Sequence, residues 1–293
     1  MAIKKQKASL LEKLKQYKKR PFSLFLFLFT WLAALITAAA VLVIICYILI
    51  KGIPSIKPEL FALKYTSENV SMMPAIINTV IITSFSLLIA VPIGVFSAVY
   101  LVEYAKRGNR LVKIIRTTTE TLAGIPSIVY GLFGFLIFVV ALGFDYSVLS
   151  GVLTLAIMIL PTMVRTTEEA LLSVPDSFRE GSFGLGAGRL RTVFRVILPS
   201  AVPGILSGVI LSCGRIVGET AALIYTSGTV AGIPSSPFDS GRTLSVHMYA
   251  LINEGIYTEQ AYATAVILLL AVLIINVFSG LIARKFSPKT EKR

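Results

Sequence analysis

The chain has 293 residues, 55% of them hydrophobic, a mean hydropathy of +0.82 and a net charge of +13. A soluble domain has no use for so much apolar surface, and apolar stretches of about 20 residues mark membrane helices. The charge first suggests nucleic acid, but its placement along the chain excludes that reading.

Residues 1–21 form a basic tail whose Leu10, Leu14 and Tyr17 make a weak apolar stripe. A helix on the membrane surface and a solvated tail both fit it. The first predicted span, 22–50, is too long for a signal-peptide core and lacks a clear small-residue cleavage site, so it reads as retained. After the segment 51–73 comes a second span, 74–102, with Asn78, Thr79 and Thr83 near its start. The third, 117–142, carries Glu120, Gly124, Ser127 and Gly131 at a 4, 3, 4 spacing. Pro126 frees a carbonyl there and should bend the helix. The fourth span is 146–164. The loop 165–198 follows, with helical patterns at 168–172 and 190–197 separated by Gly181, Gly184, Gly186 and Gly188. A compact knob and a plain connector are both compatible with it. The fifth span, 199–225, is followed by a segment, 226–261, in which Ile233-Pro234-Ser235-Ser236-Pro237 favours turns. The sixth is 262–283, and 284–293 forms a second tail. The whole reads as one integral all-α domain of six transmembrane helices.

The basic residues sort by side. Residues 1–20 hold eight; Lys106, Arg107, Arg110, Lys113 and Arg116 follow span two. Arg165, Arg179, Arg189, Arg191 and Arg195 lie in the loop before span five, and five more close the chain. The opposite side has only Lys51, Lys57, Lys64 and Arg242. This is the positive-inside bias, which puts both termini in the cytoplasm and makes anionic lipid, not nucleic acid, the partner of the charge. Cys46 and Cys213 fall inside predicted helices as packing residues, with neither a disulfide framework nor a metal spacing. No metal or cofactor is expected. The sole histidine, His247, falls in the outer segment and reads as structural.

Arg215 and Glu219 stand out, because a charge at the centre of a membrane helix costs roughly 2.5–3.5 kcal/mol on insertion scales. Four residues apart, they share one predicted helical face. The arginine precedes the glutamate, the poorer order for helix support, so the pair reads as a polar site. With about 100° per residue, Gly204, Gly208, Ser212, Arg215, Gly218 and Glu219 fall within about 120° of arc. Gly204/Gly208 and Gly214/Gly218 are spaced for close helix packing. A packing face with an internally neutralised ion pair is the alternative. Ser127 and Tyr130 could offer hydroxyls to a solute or only to a neighbouring helix. Glu120 sits near the cytoplasmic end, and Asn78 is either a path residue or a packing polar group.

Glu180, Gly186, Leu198 and Pro199, with Val196 in the aliphatic place, fit the spacing of the EAA loop of bacterial ABC importer permeases. Gly181-Ser182 stands where that family usually has Ala-Ala. Gly214-Arg215-Ile216-Val217-Gly218-Glu219-Thr220-Ala221 resembles the Gly-Arg-x-x-Gly-Glu-Thr-Ala stretch of phosphate importer permeases. The segment from Leu122 through Gly124-Ile125-Pro126-Ser127 to Phe133 resembles a signature of the same group, and Ala221 with Tyr225-Thr226-Ser227-Gly228 resembles the PstA-type subunit more than its partner. The resemblance covers about residues 74–283. It implies the type I importer (MetI-like) architecture in a bacterial inner membrane, and a phosphate path through Arg215, Glu219 and Thr220. It implies docking of an ATPase on Glu180, Gly181, Ser182, Gly186, Ala187, Leu198 and Pro199. The implied partners are a second permease, two copies of a cytoplasmic ATPase and an external phosphate-binding protein.

The chemistry of the residues agrees. A guanidinium presents a planar fork of donors that matches tetrahedral oxyanions. Phosphate at neutral pH still carries a proton that a carboxylate such as Glu219 can accept. The chain has no G-x-x-x-x-G-K-[ST] loop, so ATP hydrolysis is expected on another chain and the protein itself is not expected to be an enzyme. The alternatives are a permease for another oxyanion such as phosphonate or molybdate, a stand-alone channel, and an intramembrane hydrolase. The last would have only Ser212 and His247 to work with.

Overall fold

The computed structural model describes residues 21–106 and 108–286; the basic tail at 1–20 and the end of the chain lie outside them. The chain divides into two units, residues 1–51 and 52–293. The first contributes one helix, α1 (Pro21–Gly52), a long apolar rod with no proline after its first residue. The second contains everything else that is described.

Helix α2 (Met73–Val99) starts with Pro74 in its first turn, where the missing N–H is harmless, and ends in a π-helical turn, Tyr100–Tyr104. Helix α3 (Arg110–Ala123) and helix α4 (Ser127–Gly134) follow, and α4 continues as a π-helical stretch, Phe135–Ala141. Next come α5 (Val148–Leu172), α6 (Asp176–Gly184) and α7 (Arg189–Thr192), which passes through a π turn, Val193–Ile197, into α8 (Leu198–Val217). The last three are α9 (Ala221–Thr226), α10 (Leu244–Glu254) and α11 (Thr258–Phe286). Among the described residues five helices are long and apolar enough to cross a membrane, or six if the bent pair Val112–Ala123 and Ser127–Ala141 is one span.

Three predicted segments are corrected. The stretch 117–142 is not one helix, because its halves meet at 104° around Gly124-Ile125-Pro126. Pro126 has no N–H to donate and pushes Ile125 out of helical geometry, so the chain breaks outright. The stretch 199–225 is also two helices, interrupted at Gly218-Glu219-Thr220. The loop begins later than 165, since α5 runs on to Leu172, supported by Arg165 and Glu169 paired at 3.0 Å one turn apart. Within the loop a helix forms at Asp176–Gly184, across glycines that were expected to break it.

In lipid there is little hydrophobic drive between helices, so close backbone approach does the work. Helix α5 is the central element, against which α2, α8 and α4 pack. A Cβ on Gly94 of α2 would lie 2.7 Å from Met163 Cβ, and one on Gly204 of α8 would lie 2.5 Å from Ala170 Cβ. A Cβ on Gly208 would collide with Thr166. Gly204 and Gly208 therefore form the expected seam. Gly214 and Gly218 do not, since a side chain on Gly214 would meet nothing within 4 Å and one on Gly218 only its own helix.

At the end remote from α6 and α7, residues 226–243 fold over the bundle. Asp239 and Pro237 carbonyls accept from the free amides of Val148 and Leu149 at the start of α5, each at 2.9 Å. The Ser235 hydroxyl and the amides of Ser236 and Ser235 all donate to the Asp239 carboxylate and hold its pKa below the usual range. Arg242, counted in the sequence as an outer-side charge, is buried with its guanidinium 4.8 Å from the Tyr65 ring centre. His247 is also fully buried, and Tyr65 meets it edge-on at 6.2 Å. Burial, then the charge of Arg242, pushes His247 down to about 3.

Two outcomes follow from this packing. Gly208→Val should destabilise the purified protein by about 1–3 kcal/mol through overpacking against Thr166, read as a lower thermal midpoint in detergent, whereas Gly214→Ala leaves it unchanged. Unfolded histidine binds a proton below about pH 6.5, but buried His247 does so only near pH 3. Between those values the unfolded chain holds more protons, so stability falls as pH drops. From pH 7 to 4 the loss should be on the order of 2–3 kcal/mol, and His247→Gln should remove that part of the slope.

Candidate translocation and coupling sites

The two broken spans meet at their interruptions. Helix α4 lies on α9 so closely that a Cβ on Gly131 would sit 2.7 Å from Ala222 Cα. A Cβ on Gly134 would fall 2.9 Å from Thr226 Cγ2, and one on Gly151 of α5 the same distance from Ser227 Cβ. Gly131 faces the backbone of α9, whereas Gly134 and Gly151 make room for neighbouring side chains. The polar groups exposed by the breaks are satisfied locally. The Tyr130 hydroxyl donates to the Leu122 carbonyl at 2.9 Å, across the Pro126 break. The Glu219 carboxylate accepts from the Ala222 amide at 3.1 Å, capping the start of α9, and the Glu219 carbonyl accepts from the Ser245 hydroxyl at 2.5 Å.

This changes the reading of the arginine–glutamate pair. The two residues do not share one helix: Arg215 is in the last turn of α8, whereas Glu219 lies in the break and serves α9. No ion pair joins them among the described residues, and Glu219 is buried. Arg215 is half-buried and makes no hydrogen bond or ion pair with any described residue. It sits at the negative end of the α8 dipole, which favours a cation. It lies in the last turn before the break, and α9, which follows the break, packs on α4. Thr220, between Glu219 and α9, has its hydroxyl 3.5 Å from the Gly218 carbonyl, and Ser127 is half-buried at the first position of α4.

The remaining path candidates lie elsewhere. Asn78 is fully buried, and its amide nitrogen donates to the carbonyls of Gly232 (2.9 Å) and Arg242 (3.2 Å). It is a strut holding the folded-over segment to α2. Glu120 lines a cavity of about 660 Å³ among Arg110, Lys113, Arg116 and Arg179, at the end of the bundle that carries α6.

Helix α6 and helix α7 form the knob. Glu180, Gly181 and Ser182 are on α6, and the Ser182 hydroxyl meets that of Thr192 at 2.8 Å, tying the two helices together. Gly186 takes φ +77° just after α6, and the Ala187 amide returns to the Ser182 carbonyl at 3.1 Å. Leu198 and Pro199 open α8. The knob is rich in exposed apolar side chains: Phe178, Phe183, Leu185 and Leu190. Sequence reasoning missed Arg179, which forms a hydrogen-bonded ion pair with Glu103 of α2 at 2.7 Å. Nothing in the local sequence signals a pairing 76 residues apart.

Against this geometry the comparisons are direct. Residues 90–292 match the family described as binding-protein-dependent transport system inner membrane component. The chain belongs to this family. The probable ABC transporter permease protein YqgI of Bacillus subtilis is 34% identical over 263 residues, covering 84% of this chain and 89% of that protein. The phosphate transport system permease protein PstA of Pasteurella multocida is 36% identical over 265 residues, covering 85% and 89%. Solved structures share the fold. A chain of the MetNI methionine ABC transporter, inward facing, superposes with a TM-score of 0.57 at 22% identity over 73% of this chain and 94% of that one. A chain of a bacterial alginate ABC transporter reaches 0.66 at 16% identity over 94% and 98%. The chain is thus a membrane transport component with the MetI-like permease fold.

In this permease Gly186 has open space around it but a left-handed backbone, so conformation and not room demands glycine. Gly186→Val should cost about 1–2 kcal/mol locally and loosen the knob, whereas Gly188→Ala does not. Faster amide exchange confined to residues 176–192 is the expected readout.

Proposed function

We propose that the chain is a permease subunit of an ATP-driven importer of inorganic phosphate. Its relatives include phosphate permeases, and its Gly-Arg-x-x-Gly-Glu-Thr-Ala stretch supplies the chemistry that oxyanion needs. The carrying observation is Arg215, a guanidinium with no protein partner among the described residues, held where two broken spans face one another. A break in a membrane helix is tolerated where it is buried in protein or lines a cavity. One arginine attracts an anion without trapping it, as release requires. Glu219 and Thr220 follow it in the break, with Ser127 and Tyr130 on the helix that packs against α9.

The seam at α4 and α9 is half of a path, and a second permease supplies the other half. A cytoplasmic ATPase dimer docks on the knob through Glu180 and the exposed Phe178, Phe183 and Leu185, and an external phosphate-binding protein delivers the substrate. ATP hydrolysis belongs to the ATPase, because this chain has no phosphate-cradling loop. ATP-driven closure of the ATPases brings the knobs together and opens the path outward. The positive-inside distribution supports a cytoplasmic knob and cytoplasmic termini, with residues 226–243 outside and anionic lipid around the basic rim.

Arg215→Gln should lower phosphate uptake in cells at least tenfold at normal membrane levels, since a charge-assisted bond worth about 1.5–3 kcal/mol is lost. Glu219→Gln keeps an oxygen for the Ala222 amide and should impair uptake by a smaller factor. The double variant should do no better than Arg215→Gln alone. Full recovery in the double variant would make the pair a packing device and remove it from the path.

A further inference from the structure

We propose that the Glu103–Arg179 pair is the link that transmits movement of the coupling knob to α2, making Arg179 and Glu103 positioning residues of transport. This rests on the reading of α6 as the ATPase-docking helix.

Helix α6 has no buried residue, so apolar packing does not hold it to the bundle. Beside the Ser182–Thr192 contact with α7, what holds it to the end of α2 is Arg179. Its Nε donates to both Glu103 oxygens (3.2 and 3.4 Å) and its Nη2 to Glu103 Oε1 at 2.7 Å. Nη2 also reaches the Leu171 carbonyl at 3.0 Å, and Nη1 reaches the Val174 carbonyl at 2.9 Å and Asp176 Oδ1 at 3.1 Å. All three guanidinium nitrogens are in use, and the side chains of Arg179 and Glu103 are only 16% and 10% exposed. A desolvated, multiply bonded pair is rigid, and removing Glu103 leaves the Arg179 Nε without a partner and its charge facing only carbonyls and the exposed Asp176.

Glu103 sits on the π turn that ends α2, a local widening that is frequent at functional positions. The same turn carries Tyr104, whose ring lies 5.8 Å beneath the Arg189 guanidinium at the start of α7. Both helices of the knob therefore grip one turn of α2. At its other end α2 holds the folded-over segment: Asn78 binds Gly232 and Arg242, and Thr79 Oγ1 accepts from the Leu244 amide at 2.8 Å. A single helix is thus pinned by polar contacts to the ATPase-docking element at one end and to the opposite face at the other. The knob cannot shift without moving α2 or breaking this pair.

The test uses the complete transporter, reconstituted with its ATPase, second permease and binding protein. Phosphate taken up per ATP hydrolysed is measured along with ATPase copurification. For Glu103→Gln the ATPase should copurify normally and hydrolyse ATP, while phosphate per ATP falls at least fivefold. Glu103→Asp, which keeps the charge, should return to within twofold. Glu103→Gln with Arg179→Gln should be no worse than Arg179→Gln alone, as for residues acting as a unit. An unchanged ratio in Glu103→Gln overturns the link. So does loss of ATPase copurification, which would make the pair a brace for the docking surface only. If the unmodified complex carries no phosphate, the proposed function fails instead. The pair is then read from stimulation of ATP hydrolysis by the binding protein: loss in Glu103→Gln supports the link, and retention overturns it.

Discussion

A backbone N–H or C=O in hydrocarbon has no water to turn to, and each one left unpaired costs several kcal/mol. This constraint organises the molecule. The helices are interrupted at Gly124-Ile125-Pro126 and at Gly218-Glu219-Thr220, and both interruptions must be repaired inside protein. The repairs are specific: the Tyr130 hydroxyl on the Leu122 carbonyl, the Glu219 carboxylate on the Ala222 amide, the Ser245 hydroxyl on the Glu219 carbonyl. Glycines at 131, 134 and 151 let the repaired pieces come within contact of each other and of α5.

From that arrangement follows the chemical asymmetry of Arg215 and Glu219. Two charges of opposite sign on an unbroken helix would neutralise each other and leave nothing for a ligand. Because α8 ends at Val217, the glutamate turns to the next helix and the arginine keeps its donors. The break leaves the two charges of the sequence pair with different partners. The same economy appears at the opposite face, where residues 226–243 cap the start of α5 and Asn78 ties them to α2.

The knob has almost no buried surface of its own. Polar contacts therefore take the role that apolar packing has in the bundle. Beneath it, Ala98, Val99, Ala170, Leu171, Val174, Val193, Ile197, Ala201 and Ile205 form a separate apolar cluster that joins α2, α5 and α8. Above that cluster the Arg179–Glu103 pair is the directional contact, and such contacts specify position where dispersion alone does not.

Much was legible in the sequence. Hydropathy alone marks the apolar helices, because length in lipid is set by bilayer thickness. The motif residues at 180–199 and 214–221 identify the family, since their spacing is local and survives without any knowledge of contacts. Pro126 announced a disturbance of its helix, though not one of 104°, which depends on what the freed ends can bind. The break at Gly218 was invisible, because no proline marks it and glycine is tolerated in membrane helices. Helix α6 formed across glycines because Arg179 anchors it from a distant element. Arg242 read as an outer-side charge and Asn78 as either a path or a packing residue, yet both are buried, since burial is a property of neighbours; His247 read as structural and is buried. The sequence by itself determined the helices, the family and the residue types at the site, all of which depend on short-range pattern. Only the tertiary structure decided which charges pair and which remain free, because a salt bridge needs two atoms within about 4 Å whatever their separation along the chain.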